Sequence, residues 1–311
     1  LNQPETFWND KTTNGVMMPI NEDFLKSKGE GFGAPTDPSS ILYNGPFVLK
    51  SITAKSSIEM AKNDAYWDKD AVKIQNIKFT YWDGKDQDVV AKGFSEGQYS
   101  KARIYPTSST YEKYASEFKD NIYFSEPGSA IATVSVNYGR TTYNHTSKTT
   151  DSQKESTRKA LLNKEFRQAL NFAVDRNSYS AQTNGTEGAA VGIRNTFSPY
   201  DLQVGDKQFG KLVEESLAKT NSSTWSNVSL ADSQNGLYNE EKAKAAFAKA
   251  KESLKAEGVE FPIHLDYVVS QTDNSQVQQA SSFKQSVEAV LGADNVVVDI
   301  QKLSDDDFNN I

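Results

Sequence analysis

The amino-acid sequence predicts an α/β fold, on three observations. Apolar residues repeat at helical spacing over 163–179 and again after Asn239, as they do in amphipathic helices. Runs rich in β-branched residues at 261–269 and 295–303 indicate two strands with a helical stretch between them. That order predicts a right-handed crossover with parallel strands over 261–303. With 311 residues the chain is also long enough for two lobes.

Composition excludes several classes of function. The net charge is −7, with basic and acidic residues mixed along the chain, so a nucleic-acid partner is not expected. Cysteine is absent, which excludes disulfides, thiolate catalysis and the usual structural zinc sites. The only histidines, His145 and His264, are far apart and belong to no metal-binding motif, so no metal or cofactor is expected. No apolar run approaches the ~20 residues of a membrane span.

The helix around residue 170 is the most regular prediction. Asn163 is a good N-cap, and Asn177 could end the helix in the left-handed conformation. One face gathers five apolar residues: Phe166, Ala169, Leu170, Ala173 and Val174. Such a face usually packs on a core, so the periodicity alone indicates a structural helix.

In the N-terminal third, Val16–Ile20 is predicted as a strand, and Asn21 is expected to cap a helix over 22–28 that Gly29 ends. Three strands are predicted within 43–51, 57–68 and 73–82. Asn63 is expected to form an Asx turn, and the Tyr66-Trp67 pair to close the edge of this lobe.

The middle of the chain predicts a helix over 89–97, a strand over 98–106 and a helix over 109–118. Alternation and β-branching predict a further strand over 130–138. The polar segment 139–156 is expected to be a mobile surface loop outside the core, and the glycine-rich segment 185–201 another loop.

One catalytic motif is present. Residues 93–97, Gly-Phe-Ser-Glu-Gly, match the Gly-x-Ser-x-Gly nucleophile elbow, and His145 or His264 could complete a triad with Ser95. The elbow needs a strand before the serine and a helix after it, whereas here a helix is predicted before it and a strand after. A serine hydrolase is therefore the disfavoured alternative.

Two groups of residues carry a resemblance to a known family. The first is the order FRQAL, AVDR and Tyr179 within 166–179, and the second is Gly45-Pro46-Phe47, Asn63 with Tyr66-Trp67, and the IQNI of 74–77. In this order and spacing they resemble solute-binding protein family 5, the extracytoplasmic oligopeptide-binding proteins of ABC importers. Nearly the whole chain is similar, in particular to the streptococcal Ami/Ali type of oligopeptide-binding lipoprotein.

The resemblance implies a periplasmic-binding-protein type II (class C) fold, a two-lobed clamshell of which this chain would hold part. Residues 1–131 would belong to lobe I. Residues 132–311 would belong to lobe III, with the signature helix at 163–177. Such proteins bind oligopeptides by hinge closure around the peptide main chain and deliver them to a permease, without catalysis or cofactor.

The same resemblance implies an extracytoplasmic, monomeric protein at the surface of a Gram-positive cell, held to the membrane only by an N-terminal lipid anchor. The sequence has no initiator Met and no visible export signal, so we expect a piece of a longer receptor with weak or no peptide affinity by itself. Two further alternatives are a sensor of one signalling peptide and a surface adhesin.

Ligand-facing positions follow from the resemblance alone. They lie after the 89–97 helix, on the 130–138 strand, after the signature helix and after the strand at 261–269. The expected peptide-binding residues are Arg103, Tyr105, Ser135, Asn137, Arg194, Phe197, Tyr200, Ser270, Gln271 and Asp273. Arginine suits a peptide carboxylate because its planar fork can bind bidentately.

Overall fold

A computed structural model describes residues 15–106, 108–123, 131 and 133–310. The chain divides into two compact units, Leu1–Asp83 and Gly84–Ile311. That boundary differs from the lobe boundary expected between 131 and 132, which stays a prediction.

In the first unit, three strands form an antiparallel sheet in the order β1 (Phe47–Thr53), β2 (Ser57–Lys62) and β3 (Asn76–Thr80). The three predicted strands are thereby confirmed. Asn63 ends β2 as expected: its Oδ1 accepts from the backbone N–H of Ala65 at 3.0 Å, and its Nδ2 donates to the carbonyl of Gly45 at 2.8 Å. This one side chain joins the turns that bound the sheet.

The helix before this sheet, α1 (Glu22–Lys28), also has the predicted ends. Asn21 Oδ1 accepts from the N–H of Phe24 at 2.8 Å, and Gly29 follows with φ of 52°. The strand predicted at Val16–Ile20 is wrong, since Gly15–Met17 is a 3-10 turn and residues 18–20 are irregular. Trp67 is 84% exposed, so it does not close an edge within this unit.

The second unit is mainly helical. Its helices are α2 (Asp88–Ser95), α3 (Tyr111–Glu117), α4 (Asp151–Leu162), α5 (Lys164–Ala173), α6 (Arg176–Gly188), α7 (Phe209–Thr220), α8 (Ser222–Trp225), α9 (Glu240–Ala256), α10 (Asn274–Leu291) and α11 (Asp305–Asn309). Its strands are a short hairpin, β4 (Gln203–Val204) with β5 (Lys207–Gln208), and a parallel pair, β6 (Ile263–Ser270) with β7 (Val296–Leu303).

The core of this unit lies where α5, α9 and α10 meet β6 and β7. The strands pair in register from Ile263 opposite Val296 to Ser270 opposite Leu303, which confirms the predicted parallel crossover. Phe166 on α5 is fully buried and lies 6.2 Å, ring to ring, from Phe247 on α9. Burying an apolar side chain of this size contributes about 1.5–3 kcal/mol to the free energy of folding.

The signature helix is shorter than predicted. Asn163 caps it as expected, with its Oδ1 3.0 Å from the N–H of Phe166, but the helix ends at Ala173. Val174 is extended, and the Asp175 carboxylate accepts from the N–H groups of residues 177 and 178, which starts α6. The expected helix end at Asn177 is therefore wrong, because Asp175 acts as the N-cap of the next helix and Asn177 already lies within that helix.

Three other segments differ from the sequence-based expectation. Within 98–106, and at the described residues of 130–138, there is no strand: no neighbouring strand offers a ladder there, and β-branching alone does not form one. Segment 139–156 is not a free loop, because Lys148 is buried and α4 begins at Asp151 behind a Thr150–Gln153 capping box. Part of the glycine-rich segment is helical, since α6 extends to Gly188 with a kink at Gly185.

Candidate functional site

The second unit contains a cavity of about 720 Å³. Its walls come from α2, α3, the irregular segment 100–106 and the C-terminal half of α6 with the residues that follow it. Ligand pockets commonly measure about 300–1,000 Å³ and are lined mainly by apolar and aromatic side chains. The size of this cavity therefore suits a bound organic molecule rather than a single ion.

One wall consists of three aromatic rings in contact. Phe94 on α2 meets Phe118 edge to face, with ring centroids 5.0 Å apart. Phe118 in turn stacks on Tyr114 of α3 at 6.3 Å. Tyr114 is 5% exposed, whereas the two phenylalanines are half-buried. The partly exposed rings leave apolar surface that a ligand could cover.

The two helices that carry these rings are joined at their starts. Asp88, the first residue of α2, accepts hydrogen bonds from the hydroxyls of Ser108, Ser109 and Thr110, just before α3. The hydrogen bonds from Ser108 and Thr110 lower the pKa of the Asp88 carboxyl. An ionised Asp88 thus fixes the spacing of the aromatic wall.

A second part of the cavity lining lies next to the kink in α6. Gly185 has φ of +69°, and a Cβ added there would lie 3.2 Å from Tyr111 Oη and 3.3 Å from Pro106 Cγ. A glycine is needed because the backbone is left-handed and the neighbours are close. Burial raises the pKa of the Tyr111 phenol, and Glu187 adds to this effect, so the phenol stays neutral.

The charged lining of the cavity is basic. Lys101 and Arg103 line it, and none of the other described lining residues is charged. The Arg103 guanidinium carbon lies 4.8 Å from the centre of the Tyr105 ring, a cation–π contact. Both cations are exposed.

Of the ten expected peptide-binding residues, only Arg103 lines the cavity, with Tyr105 in contact with it. Ser135 and Asn137 lie on an exposed irregular segment, where Asn137 Oδ1 accepts from the N–H of Gly139 at 3.1 Å. The structure does not bring these four residues into one described site.

Three of the expected peptide-binding residues follow α6, namely Arg194, Phe197 and Tyr200, and two of them make contacts within the protein. The Arg194 side chain is only 9% exposed, and its Nε lies 3.8 Å from Asp232 Oδ2. The backbone N–H of Tyr200 donates to that same Asp232 oxygen at 2.9 Å. Phe197, by contrast, is 81% exposed. A ligand role for Arg194 would require the side chain to leave Asp232.

The last three expected residues, Ser270, Gln271 and Asp273 at the end of β6 and after it, also form hydrogen bonds within the protein. Ser270 Oγ donates to Asp305 Oδ1 at 2.6 Å, and the N–H of Gln271 donates to the Leu303 carbonyl at 2.8 Å. Asp273 caps α10 by accepting from the N–H of Gln276 at 3.1 Å. Ligand binding by these residues stays a prediction.

Sequence reasoning missed the aromatic wall and Lys101. The sequence predicts helices at 89–97 and 109–118 without assigning them a role, and the spacing of Tyr114 and Phe118, four residues apart, is the signal that was available. Phe94 could not be added to that pair from sequence, because it lies on a different helix.

The hydrolase alternative has no support from the geometry. Ser95 is the last residue of α2, and its Oγ donates to Glu117 Oε1 at 3.1 Å. His264 Nδ1 is instead 2.8 Å from Asp299 Oδ2, a pairing between the adjacent strands β6 and β7. Among the described residues no group of three or more acidic or histidine side chains could hold a metal ion. In that same part of the chain, no helix has the length and apolar character to cross a membrane.

An aromatic cavity of this size, in a unit with an α/β core, is a candidate site for binding a ligand. The sequence model described as "Bacterial extracellular solute-binding proteins, family 5 Middle" matches residues 1–310, so the chain belongs to this family. The family resemblance predicted from the motifs is thereby confirmed.

Similar curated proteins come from streptococci. The chain is 56% identical to the oligopeptide-binding protein AmiA of Streptococcus pneumoniae and 55% identical to SarA of Streptococcus gordonii. It is 48% identical to AliB of Streptococcus pneumoniae. Each match covers 100% of this chain but 47% of the relative, so the chain spans about half the length of these proteins.

Solved structures agree on the fold. The pheromone receptor PrgZ, described with its mode of peptide binding, superposes with a TM-score of 0.57 at 16% identity, over 100% of this chain and 52% of that one. Listeria monocytogenes OppA bound to peptide gives 0.56 at 18% identity, over 99% and 51%. The chain therefore has the α/β fold of the peptide-binding members of the family.

Proposed function

We propose that this chain is part of an extracytoplasmic receptor that binds oligopeptides and delivers them to the permease of an ABC importer, without performing chemistry. The observation that carries the proposal is the 48–56% identity, over the whole chain, to streptococcal proteins named for oligopeptide binding. The aromatic cavity supports it independently, because it offers apolar surface and two cations to a ligand.

Recognition of many peptide sequences by one receptor depends on the main chain. Hydrogen bonds to peptide N–H and C=O groups give affinity whatever the side chains are, and roomy pockets that hold water accept varied side chains. In this proposal the ligand-facing residues are Arg103, Tyr105, Ser135, Asn137, Arg194, Phe197, Tyr200, Ser270, Gln271 and Asp273. Arg103 is supported best, because it lines the cavity with its charge exposed.

The rest of the proposal concerns the whole receptor. A hinge motion would close it over the peptide, since a ligand that binds the closed state better shifts the population toward that state. A lipid anchor would hold the monomeric receptor at the outer face of the membrane, where it meets the permease.

The test is denaturing mass spectrometry of small molecules released from the purified protein. It should be run on the 311-residue chain and on a version extended at both ends with the flanking sequence of its gene. Many peptides released from the extended version support transport, and a single peptide sequence supports a sensor. No peptide from either version contradicts the proposal and favours an adhesin.

A further inference from the structure

We propose that the cavity selects one kind of peptide segment: a large apolar or aromatic side chain followed closely by a carboxylate. This inference rests on the proposed function, because it names the class of peptide that the site accepts. It depends on two features of the described residues. One is the aromatic wall, and the other is a lining that contains two basic residues and no acidic one.

The aromatic wall favours an apolar side chain. Phe94 and Phe118 are half-buried and in edge-to-face contact, so a third ring or an aliphatic chain can cover the surface they leave exposed. Ile104, Ile122 and Val191 add aliphatic lining to the cavity. Removing a phenylalanine-sized side chain from water contributes enough free energy to change affinity about tenfold or more.

The basic lining favours an anion and disfavours a cation. Lys101 and Arg103 contribute two positive charges, while the described lining residues include no Asp or Glu. No ion pair joins either cation to a carboxylate among the residues that the structure describes. This is notable in a chain with 41 acidic and 34 basic residues. A carboxylate near the guanidinium would make a charge-assisted hydrogen bond.

Aromatic rings can also attract cations, so a lysine or arginine side chain is the main competitor. Two rings at or beside the cavity already carry a cation: Lys113 Nζ lies 4.8 Å from the centre of the Tyr114 ring, and Arg103 lies over Tyr105. A ligand cation would add to this positive charge. The cavity therefore discriminates against basic side chains.

The carboxylate could come from the C-terminus of the peptide or from an Asp or Glu side chain. Four tetrapeptides separate these sources: AAAF as the free acid, AAAF as the C-terminal amide, AAFE as the amide, and AAAK as the free acid. If the C-terminus supplies the anion, the AAAF acid binds more tightly than its amide. If a side chain suffices, the AAFE amide recovers the affinity.

Calorimetry on the extended protein should show AAAF acid binding about tenfold or more tightly than AAAK acid. Arg103→Ala should weaken AAAF acid about two- to fivefold, as expected for an exposed ion pair, and should bring it close to the amide. Lys164→Ala is the matched control: Lys164 is exposed at the start of α5 and does not line the cavity, so the affinity should not change.

Phe118→Ala tests the aromatic wall. Arg103→Glu is a second test, and it leaves the wall of Phe94, Tyr114 and Phe118 intact. Arg103→Glu should weaken both carboxylate-bearing peptides and strengthen AAAK. If none of these peptides nor a mixed peptide library binds, the proposed function fails. If peptides bind but AAAF and AAAK bind equally, and Arg103→Glu changes neither, receptor function stands and this inference is overturned.

Discussion

The ammonium nitrogen of Lys148 lies 2.6 Å from Oδ2 of Asp266, and each of the two side chains is only 2% exposed. The same oxygen accepts from Arg140 at 2.6 Å and from the Thr146 hydroxyl at 2.7 Å. The N–H of Ser147 donates to the other oxygen of Asp266 at 3.1 Å. Segment 140–148 is thereby attached to the middle of β6, so it is not the mobile loop that the sequence predicted.

Asp266→Asn should destabilise the protein by about 3–5 kcal/mol. The substitution removes the charge that compensates the buried Lys148, and an unpaired buried charge costs far more than a surface one. Chemical denaturation followed by circular dichroism measures the loss.

The control is the double variant Lys148→Met, Asp266→Asn. Because it removes the buried cation as well, its loss should be smaller than the sum of the two single losses. A single Asp266→Asn variant within about 0.5 kcal/mol of the parent would show that the ion pair contributes nothing.

The same pair predicts loss of stability in acid. Burial would raise the pKa of Asp266, but hydrogen bonds from Lys148 and Thr146 outweigh it and lower that pKa to about 2. At Lys148 burial prevails and lowers the pKa, yet the amine stays protonated in acid. Since Asp266 has an unfolded pKa of about 3.9, its contribution is complete above that value and is lost as the pH falls toward 2.

Unfolding free energies measured from pH 6 to pH 2 test this point. The parent should lose more stability than Asp266→Asn between about pH 4 and pH 2, because the variant has no carboxyl to protonate there. Parallel curves for the two proteins across that window would exclude Asp266 as the cause.

Local signals in the sequence predicted the elements whose ends depend on neighbouring residues. The caps at Asn21 and Asn163, the helix that follows Asn239 and the parallel pair β6–β7 are all present. The break after Ala173 was missed because the Asp175 carboxylate that starts α6 also accepts from Asn235 Nδ2 at 2.7 Å, a contact distant in sequence.

Long-range contacts also limited the prediction of the site. Nothing near Lys148 in the sequence shows that Asp266 will bury it. Arg103 was identified through the family resemblance, whereas the wall formed by Phe94, Tyr114 and Phe118 requires two helices to meet. Periodicity describes one helix at a time and cannot supply that contact.

Asp175→Ala should cost about 0.5–2 kcal/mol, the usual effect of losing an N-cap. The carboxylate accepts from the N–H groups of Asn177 and Ser178 at 3.0 and 3.3 Å, and alanine leaves both donors without this acceptor. Asp175→Asn retains a capping oxygen and serves as the control. If the two variants unfold at the same denaturant concentration, the cap does not stabilise the break.

Ser95→Ala should leave peptide binding unchanged and remove no esterase activity, because the parent should have none. The Ser95 hydroxyl donates to the exposed Glu117 rather than to a histidine, so nothing activates it as a nucleophile. Hydrolysis of p-nitrophenyl acetate by the parent, abolished in the variant, would restore the hydrolase hypothesis.

Gly185→Ala should destabilise the protein more than Gly205→Ala, although the two glycines have similar left-handed backbones, with φ of +69° and +65°. An alanine at Gly205 meets nothing within 4 Å, so that variant should lose only the conformational cost of about 1–2 kcal/mol. At Gly185 the added methyl also presses on Tyr111 and Pro106 beside the cavity. Gly185→Ala should therefore weaken peptide binding by the extended protein as well, whereas Gly205→Ala should not. Equal losses of stability with unchanged affinity in both variants would mean that the kink in α6 does not shape the cavity.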